Sequence, residues 1–210
     1  MGVWIMVMRS QRFLLIAVDT DRNAYVIGEY YEGGQYPDYY AGQILDTIKS
    51  NQYTGGRKPE KIFADTSIFS TRATSTGAAA NRFVSDILRS ATGLNFVPSN
   101  KHRLNGWRLM RNMIAWKSDG NGKIVKQPQL RLFPECTSLE KEIVGAVHAG
   151  KEDNPKEDLN TDGDDHALDA LRYGLMGLYK GRAPDSKPED SQLTVKALKG
   201  KRKKGWGNES

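Results

Sequence analysis

The sequence has one cysteine, Cys136, among its 210 residues. A single cysteine cannot form a disulfide within the chain, and nothing else indicates secretion, so we expect a cytoplasmic protein. No apolar run approaches the roughly 18 residues that a membrane-spanning helix needs, so no membrane partner is expected. The apolar opening, Met1 to Met8, has no basic flank before it and is too short for a signal peptide.

The sequence also lacks a phosphate-binding loop of the form Gly-x-x-x-x-Gly-Lys-Ser/Thr. We therefore expect no ATP site in this chain. Acidic residues are fewer than basic ones, 25 against 31, and the net charge is +6. A positive net charge favours a polyanionic partner such as nucleic acid, although an excess of lysine also improves solubility.

The segment 163–174, GDDHALDALRYG, places three carboxylates and an imidazole at the start of an apolar helix. Asp164 or Asp165 can cap this helix, where the helix dipole stabilises negative charge. Asp169 lies one turn after Asp165, beside a predicted buried stripe of leucines. The stripe consists of Leu168, Leu171, Leu175 and Leu178. Carboxylates on a rigid, half-buried element suit a hard divalent cation, but a cap followed by a solvated helix face explains the pattern equally well.

A second segment, 61–67, reads KIFADTS and ends a short apolar strand in Asp65. This arrangement places a carboxylate at the mouth of an α/β sheet. Together with the late helix, it resembles the C-terminal nuclease domain of the large terminase subunit of tailed bacteriophages. Residues 24–31 look like that family's third strand, and residues 130–143 look like its last strand and following helix. The resemblance covers about residue 12 to about residue 180.

The resemblance implies a ribonuclease H-like fold with a two-metal active site. In that chemistry two divalent ions, here Mg²⁺ or Mn²⁺, activate water and stabilise the leaving oxygen of a phosphodiester. The family's acidic positions match Asp65 and Asp169, which are the expected catalytic metal ligands. His166 matches a histidine that some members place near the metals, and Asp165 is either an additional ligand or only the helix cap.

The family's first-strand acid is missing from this chain. The family has hydrophobic-Asp-x-Gly about ten residues before the strand that begins near Phe13, and Trp4 stands at the expected position of the Asp. Tryptophan and methionine each have one codon, and the nucleotides encoding Trp4 to Met8, read two bases later, restore the motif. We therefore hypothesise that residues 1–11 are translated out of frame. Asp19 could replace the acid, but its turn-like surroundings favour a role in a hairpin.

The order of apolar segments predicts one α/β domain over residues 1–180 and a disordered basic tail over residues 181–210. Strands are predicted at 12–19, 24–31, 61–65 and 94–97, and helices at 39–50, 79–91, 101–116 and 137–147. Residues 123–133 are predicted to form a hairpin or an extended pair around Pro128, and 149–164 a polar acidic loop. The resulting fold class is α/β, a ribonuclease H-like mixed sheet with helices on both faces.

Apolar spacing predicts the buried faces of two of these helices. The predicted buried residues are Phe83, Ile87, Leu88 and Ala91 in the first, and Leu104, Trp107, Met110 and Ile114 in the second. Opposite the second apolar face lie four basic residues, Lys101, Arg103, Arg108 and Arg111, and Arg72 lies in the loop after Asp65. Basic residues of this kind can contact DNA phosphates without reading sequence, although a solvated helix face is an equally good explanation.

Three functions are compatible with these observations. The first is a metal-dependent endonuclease that cuts concatemeric double-stranded phage DNA during packaging. The resemblance implies an ATPase motor domain encoded upstream, a small terminase subunit and a portal as its partners, all in the host cytoplasm. The second is another nuclease or resolvase of the same fold, and the third is a DNA-binding remnant that is impaired because the first-strand acid is missing.

Overall fold

The computed structural model describes residues 3–9, 11–73, 81–100, 102–146, 148–151, 154–159 and 165–179. Six strands form the main sheet: β1 (Val3–Arg9), β2 (Arg12–Val18), β3 (Ala24–Tyr31), β4 (Lys61–Ala64), β5 (Phe96–Pro98) and β8 (Leu130–Leu132). Their order is β5-β4-β1-β2-β3-β8. The first three strands are antiparallel neighbours, whereas β4 runs parallel to β1, β5 parallel to β4, and β8 parallel to β3.

Five helices of the described residues cover the sheet: α1 (Pro37–Ser50), α2 (Val84–Thr92), α3 (Arg103–Ile114), α4 (Thr137–Gly145) and α5 (His166–Tyr179). The alternation of side chains along β1 explains why both faces need cover. Ile5 and Val7 pack with α3, α4 and α5, whereas Trp4, Met6 and Met8 pack with α1 and α2. The predicted mixed α/β sheet with helices on both faces is therefore confirmed.

Helix α5 lies directly on the sheet, beneath α3 and α4, and is buried on nearly every side. A small residue is needed where it meets β4, since a Cβ atom added to Gly177 would lie 2.5 Å from the Phe63 ring. Leu168, Leu171 and Leu175 are buried as predicted, but so are the charged residues of the same helix. No helix among the described residues is long and apolar enough to cross a membrane.

Several predictions of local structure were wrong. Residues 123–133 do not pair around Pro128, because β7 (Ile124–Lys126) pairs with β6 (Lys117–Ser118) while β8 joins the main sheet. The polar segment 149–164 is not simply a loop, since it contains most of the hairpin of β9 (His148–Lys151) and β10 (Asn154–Leu159). Strands this short are defined by backbone pairing, which leaves little hydrophobic periodicity to detect.

Two helical faces also differ from their predicted composition. In α3, Leu104 is 42% exposed, and Leu109 and Met113 take its place in the core with Trp107 and Met110. In α2, Ile87 and Leu88 are buried as predicted, whereas Ala91 is exposed. The basic tail, residues 181–210, lies outside the described residues.

The single cysteine is a probe of this core. Burial, together with the nearby Glu29 carboxylate, raises the pKa of the Cys136 thiol to about 12. The thiolate is the reactive form, so we expect Cys136 to react with a thiol reagent near neutral pH only after the protein unfolds. Labelling kinetics with and without urea test this, with the exposed Ser50→Cys variant as the control that gains one fast-reacting thiol. Rapid labelling of native Cys136 would contradict the described packing.

Candidate functional site

Asp65 follows β4 and lies level with the end of β1, because its backbone N–H donates to the Met8 carbonyl at 3.0 Å. Each oxygen of its side chain accepts a hydrogen bond. One accepts the Ser67 N–H at 2.7 Å and caps the short 3-10 turn Thr66–Phe69. The other accepts the Tyr173 hydroxyl at 2.9 Å. Asp65 is therefore held at the carboxyl end of two neighbouring parallel strands.

Asp169 lies in the first turn of α5, and its side chain is only 2% exposed. Arg172 Nε donates to one carboxylate oxygen at 2.9 Å, and the Arg9 guanidinium donates to the other. Tyr173, one turn after Asp169, contacts Asp65. The structure thus brings Asp65 and Asp169 to the same end of the sheet, where both carboxylates act on the Tyr173 hydroxyl.

Asp165 and His166 lie where α5 begins. The Asp165 carbonyl accepts the Asp169 N–H at 2.8 Å, which makes Asp165 the N-cap residue, but its side chain faces Arg9 at 3.1 Å. His166 Nδ1 lies 3.8 Å from the nearer Asp165 oxygen. Among the described atoms, His166 Nδ1 and Asp165 Oδ2 are buried without a hydrogen-bond partner.

The side chain that caps α5 is Glu142, which no local sequence pattern indicated. One Glu142 oxygen accepts the Leu168 N–H at 2.7 Å, and the other accepts the Tyr31 hydroxyl at 2.7 Å. Asp165 was a predicted cap, but no described hydrogen bond joins its side chain to a helix amide, and Asp164 lies outside the described residues. Glu142 thus fixes the position of α5, and with it Asp169.

Arg172 was also missed, although its spacing of three residues from Asp169 is typical of an ion pair within a helix. Its guanidinium lies 5.1 Å from the Trp107 ring centroid and 4.4 Å from that of Tyr173. Gly106 makes room for it, since a Cβ atom there would lie 2.4 Å from Arg172 Cγ. The buried arginine is thus enclosed by aromatic rings and paired with a buried acid, as a charge in this setting requires.

Of the predicted DNA-binding residues that the structure describes, three lie on α3 and one lies in the loop after Asp65. The Arg103 guanidinium lies 5.6 Å from the Trp107 ring centroid, at the start of α3. Arg108 and Arg111 are exposed on the same helix. Arg72 lies on the Phe83 ring and donates to a backbone carbonyl of its own loop, so it supports that loop. Lys101 lies outside the described residues.

The structure corrects the prediction that Trp4 occupies the position of the missing acid. Trp4 pairs with Ala17 near the start of β1, while Met8 is level with Ala64, just before Asp65. Trp4 and Met8 are four positions apart along the strand, roughly 13 Å. The residue at the site end of β1 is Arg9. The out-of-frame hypothesis stays a prediction, and residues 3–9 as written form a central strand in which Trp4 to Met8 are buried.

Asp19 lies at the far end of the sheet from Asp65, because β2 runs antiparallel to β1. Its carboxylate accepts the backbone and side-chain N–H groups of Asn23 at 2.8 Å and the Tyr25 hydroxyl at 2.9 Å. Burial alone would raise the pKa of Asp19, but these hydrogen bonds outweigh it and lower that pKa. The predicted role of Asp19 in a hairpin is confirmed.

The residues of the site do not fit a pair of divalent ions in this arrangement. Mg²⁺ and Mn²⁺ need carboxylate oxygens as direct ligands, and both Asp169 oxygens already accept from guanidinium groups. Arg9 also occupies the space between Asp165 and Asp169. Within the described part of the chain, no group of three or more His, Cys, Asp or Glu residues could hold a metal ion.

The fold is similar to that of the large terminase from a thermophilic bacteriophage. The structure of that protein in complex with ADP matches with a TM-score of 0.58 and 18% identity, over 83% of this chain and 39% of the terminase. Another crystal form matches with a TM-score of 0.58 and 16% identity, over 84% and 39% of the two chains. This likeness shows the fold, over less than half of the terminase's length. No family model and no curated protein matches this sequence.

The role of Glu142 can be tested by its removal. Glu142→Ala removes the acceptor of the hydrogen bonds from the Leu168 amide and the Tyr31 hydroxyl, and we expect the free energy of unfolding to fall by about 1–3 kcal/mol. Urea denaturation measures the change. The matched control is Glu140→Ala, an exposed glutamate of the same helix, with an expected change within about 0.5 kcal/mol. Equal losses in both variants would show that Glu142 does not anchor α5.

Tyr173 makes the free energy of unfolding depend on pH in the alkaline range. Burial and the hydrogen bond to Asp65 raise the pKa of Tyr173 to about 12, from the ordinary value of 10.0. The native state therefore keeps the proton while the unfolded state loses it, so this stabilisation is complete below pH 10 and is lost as pH rises towards 12. In denaturant unfolding we expect Tyr173→Phe to reduce the fall in stability between about pH 9 and about pH 11. The exposed Tyr36→Phe control should leave the fall unchanged, and equal slopes in all three proteins would disprove the assignment.

Proposed function

We propose that this chain is a DNA-binding domain of the large-terminase class that acts on double-stranded DNA during phage genome packaging. The observation that carries the proposal is the convergence of Asp65 and Asp169 at one end of a sheet whose fold matches a phage large terminase over 83% of the chain. An ATPase motor domain, a small terminase subunit and a portal are the partners that this proposal implies. They would work with this domain in the host cytoplasm.

The geometry favours binding of DNA without efficient cutting. Phosphodiester hydrolysis in this class requires carboxylate oxygens that are available to metal ions. Here the Asp169 oxygens are taken by Arg9 and Arg172, and the Asp165 carboxylate also faces Arg9. The impaired DNA-binding form is therefore the better supported of the functions that the sequence suggests.

The surface beside the site supports contact with DNA. Arg108 and Arg111 are exposed on α3, the helix that packs on α5 through Trp107 and Met110. Arg103, at the start of α3, shares the Trp107 ring with Arg172 and so connects this basic surface to the carboxylate site. Phosphate contacts from such residues give affinity without sequence preference.

A second candidate is a metal-dependent DNA endonuclease of the same class. Asp65 and Asp169 would be its ligands for Mg²⁺ or Mn²⁺, with Asp165 as a further ligand and His166 beside them. The observation that favours it is that Asp165 Oδ2 and His166 Nδ1 are buried without a hydrogen-bond partner in the described structure. Buried polar atoms normally have partners, so these two atoms have capacity for an additional ligand.

The proposed DNA contact can be measured by fluorescence anisotropy with a labelled duplex of about 25 base pairs. We expect the double variant Arg108→Ala, Arg111→Ala to bind DNA more weakly. The slope of the logarithm of the binding constant against the logarithm of salt concentration should also become shallower by about 2, because each lost phosphate contact removes roughly 0.9 from that slope. The control removes two exposed charges on the opposite face, Lys49→Ala with Arg89→Ala. Equal effects of the two double variants would contradict a DNA surface on α3.

Supercoiled plasmid with Mn²⁺ or Mg²⁺ separates the two candidate functions. We expect binding with little or no nicking, because the carboxylates of the site are paired with arginines. Nicking that is lost in both Asp65→Asn and Asp169→Asn, in proteins with unchanged circular dichroism, would establish the endonuclease instead. Preferential cutting of branched DNA would indicate another nuclease of this fold.

A further inference from the structure

We propose that Arg9 takes the place of a bound cation in the carboxylate site and keeps divalent ions out of it. This inference concerns the regulation of the site in the proposed function above. The inference rests on the proposed function only in that metal binding would matter for that function. The contacts of Arg9 with the acids do not depend on DNA. Arg9 is the last residue of β1, at the strand end that lies beside Asp65.

The position of the Arg9 guanidinium is that of a bridging cation. The same nitrogen, Nη1, contacts an Asp165 oxygen at 3.1 Å and an Asp169 oxygen. Two carboxylates that share a site repel one another unless a positive charge lies between them. Because Arg172 contacts only Asp169 among these acids, Arg9 is the described group that neutralises both.

The strand that carries Arg9 limits how far its side chain can move. Residues Ile5 to Met8 are fully buried, and β1 is hydrogen-bonded on one side to β2 and on the other to β4. The backbone of Arg9 pairs with Arg12 across the hairpin. A rigid central strand, and not a loop, therefore positions the Arg9 guanidinium beside the acids.

The positive charge of Arg9 is what opposes a divalent ion at this site. A divalent ion between Asp165 and Asp169 would have to displace Arg9 or share the site with its positive charge. The Arg9 side chain is 23% exposed, so shortening it would open a path from solvent to the buried Asp169 carboxylate.

The experiment measures Mn²⁺ binding by the loss of the electron paramagnetic resonance signal of free Mn²⁺, without DNA. We expect Arg9→Ala to bind Mn²⁺ at least tenfold more tightly than the unchanged protein, because two paired acids lose their cation. Adding Asp169→Asn to Arg9→Ala should abolish this gain. Arg9→Lys, which keeps the charge, should bind no better than the unchanged protein.

The matched control is Arg12→Ala, which removes a neighbouring positive charge of the same hairpin whose guanidinium lies over the Tyr31 ring. If Arg12→Ala gains as much affinity as Arg9→Ala, the effect is one of net charge and the proposal is wrong. Arg9→Gln repeats the test should Arg9→Ala fail to fold. Tight, Asp169-dependent Mn²⁺ binding by the unchanged protein would overturn the proposal, as would the absence of any gain in folded Arg9→Ala and Arg9→Gln. Either result leaves the anisotropy test of DNA binding unaffected.

Discussion

The burial of the Asp169 carboxylate is the constraint on which the surrounding structure depends. A charge this far from water requires opposite charge and hydrogen bonds at both oxygens, and removal of one partner is strongly destabilising. Arg172 meets this need from the same helix and Arg9 from the central strand. Arg172 imposes further requirements on its surroundings. It packs against the Trp107 and Tyr173 rings, and it needs the space that Gly106 leaves in the facing helix α3.

The helices over this cluster are fixed by carboxylates that cap them from neighbouring elements. Glu29 on β3 accepts the N–H groups of Ser138 and Leu139 at the start of α4. Glu142 on α4 then accepts an N–H at the start of α5. Each cap satisfies helix amides that would otherwise be buried without partners, and each is favoured by the helix dipole. The orientation of α5 over the sheet is thus set in two steps from a strand.

Local patterns predicted the parts of the structure that depend on local physics. The strands at 12–19 and 24–31, the helix that carries Asp169 and the strand before Asp65 all have clear periodicity or composition. The contacts of Arg9 could not be predicted, because its acidic partners lie 156 and 160 residues away in sequence. The misassignment of Trp4 has a related cause. A family motif gives the expected residue type, but the position of that residue relative to Asp65 depends on the register between β1 and β4. The sequence of β1 alone does not determine that register.

The place of β1 in the sheet has a consequence for synthesis. Strand β1 is made before the other strands of the sheet but lies in its middle, and its parallel neighbour β4 follows only after β2, β3 and α1. The helix that covers its other face, α5, is made after all six strands. Contacts between such distant segments form slowly because long loops must close first. During translation one apolar face of the β1–β2 hairpin therefore stays exposed to solvent until α5 is synthesised and packs on it. Exposed apolar surface of this kind makes the nascent chain prone to aggregation.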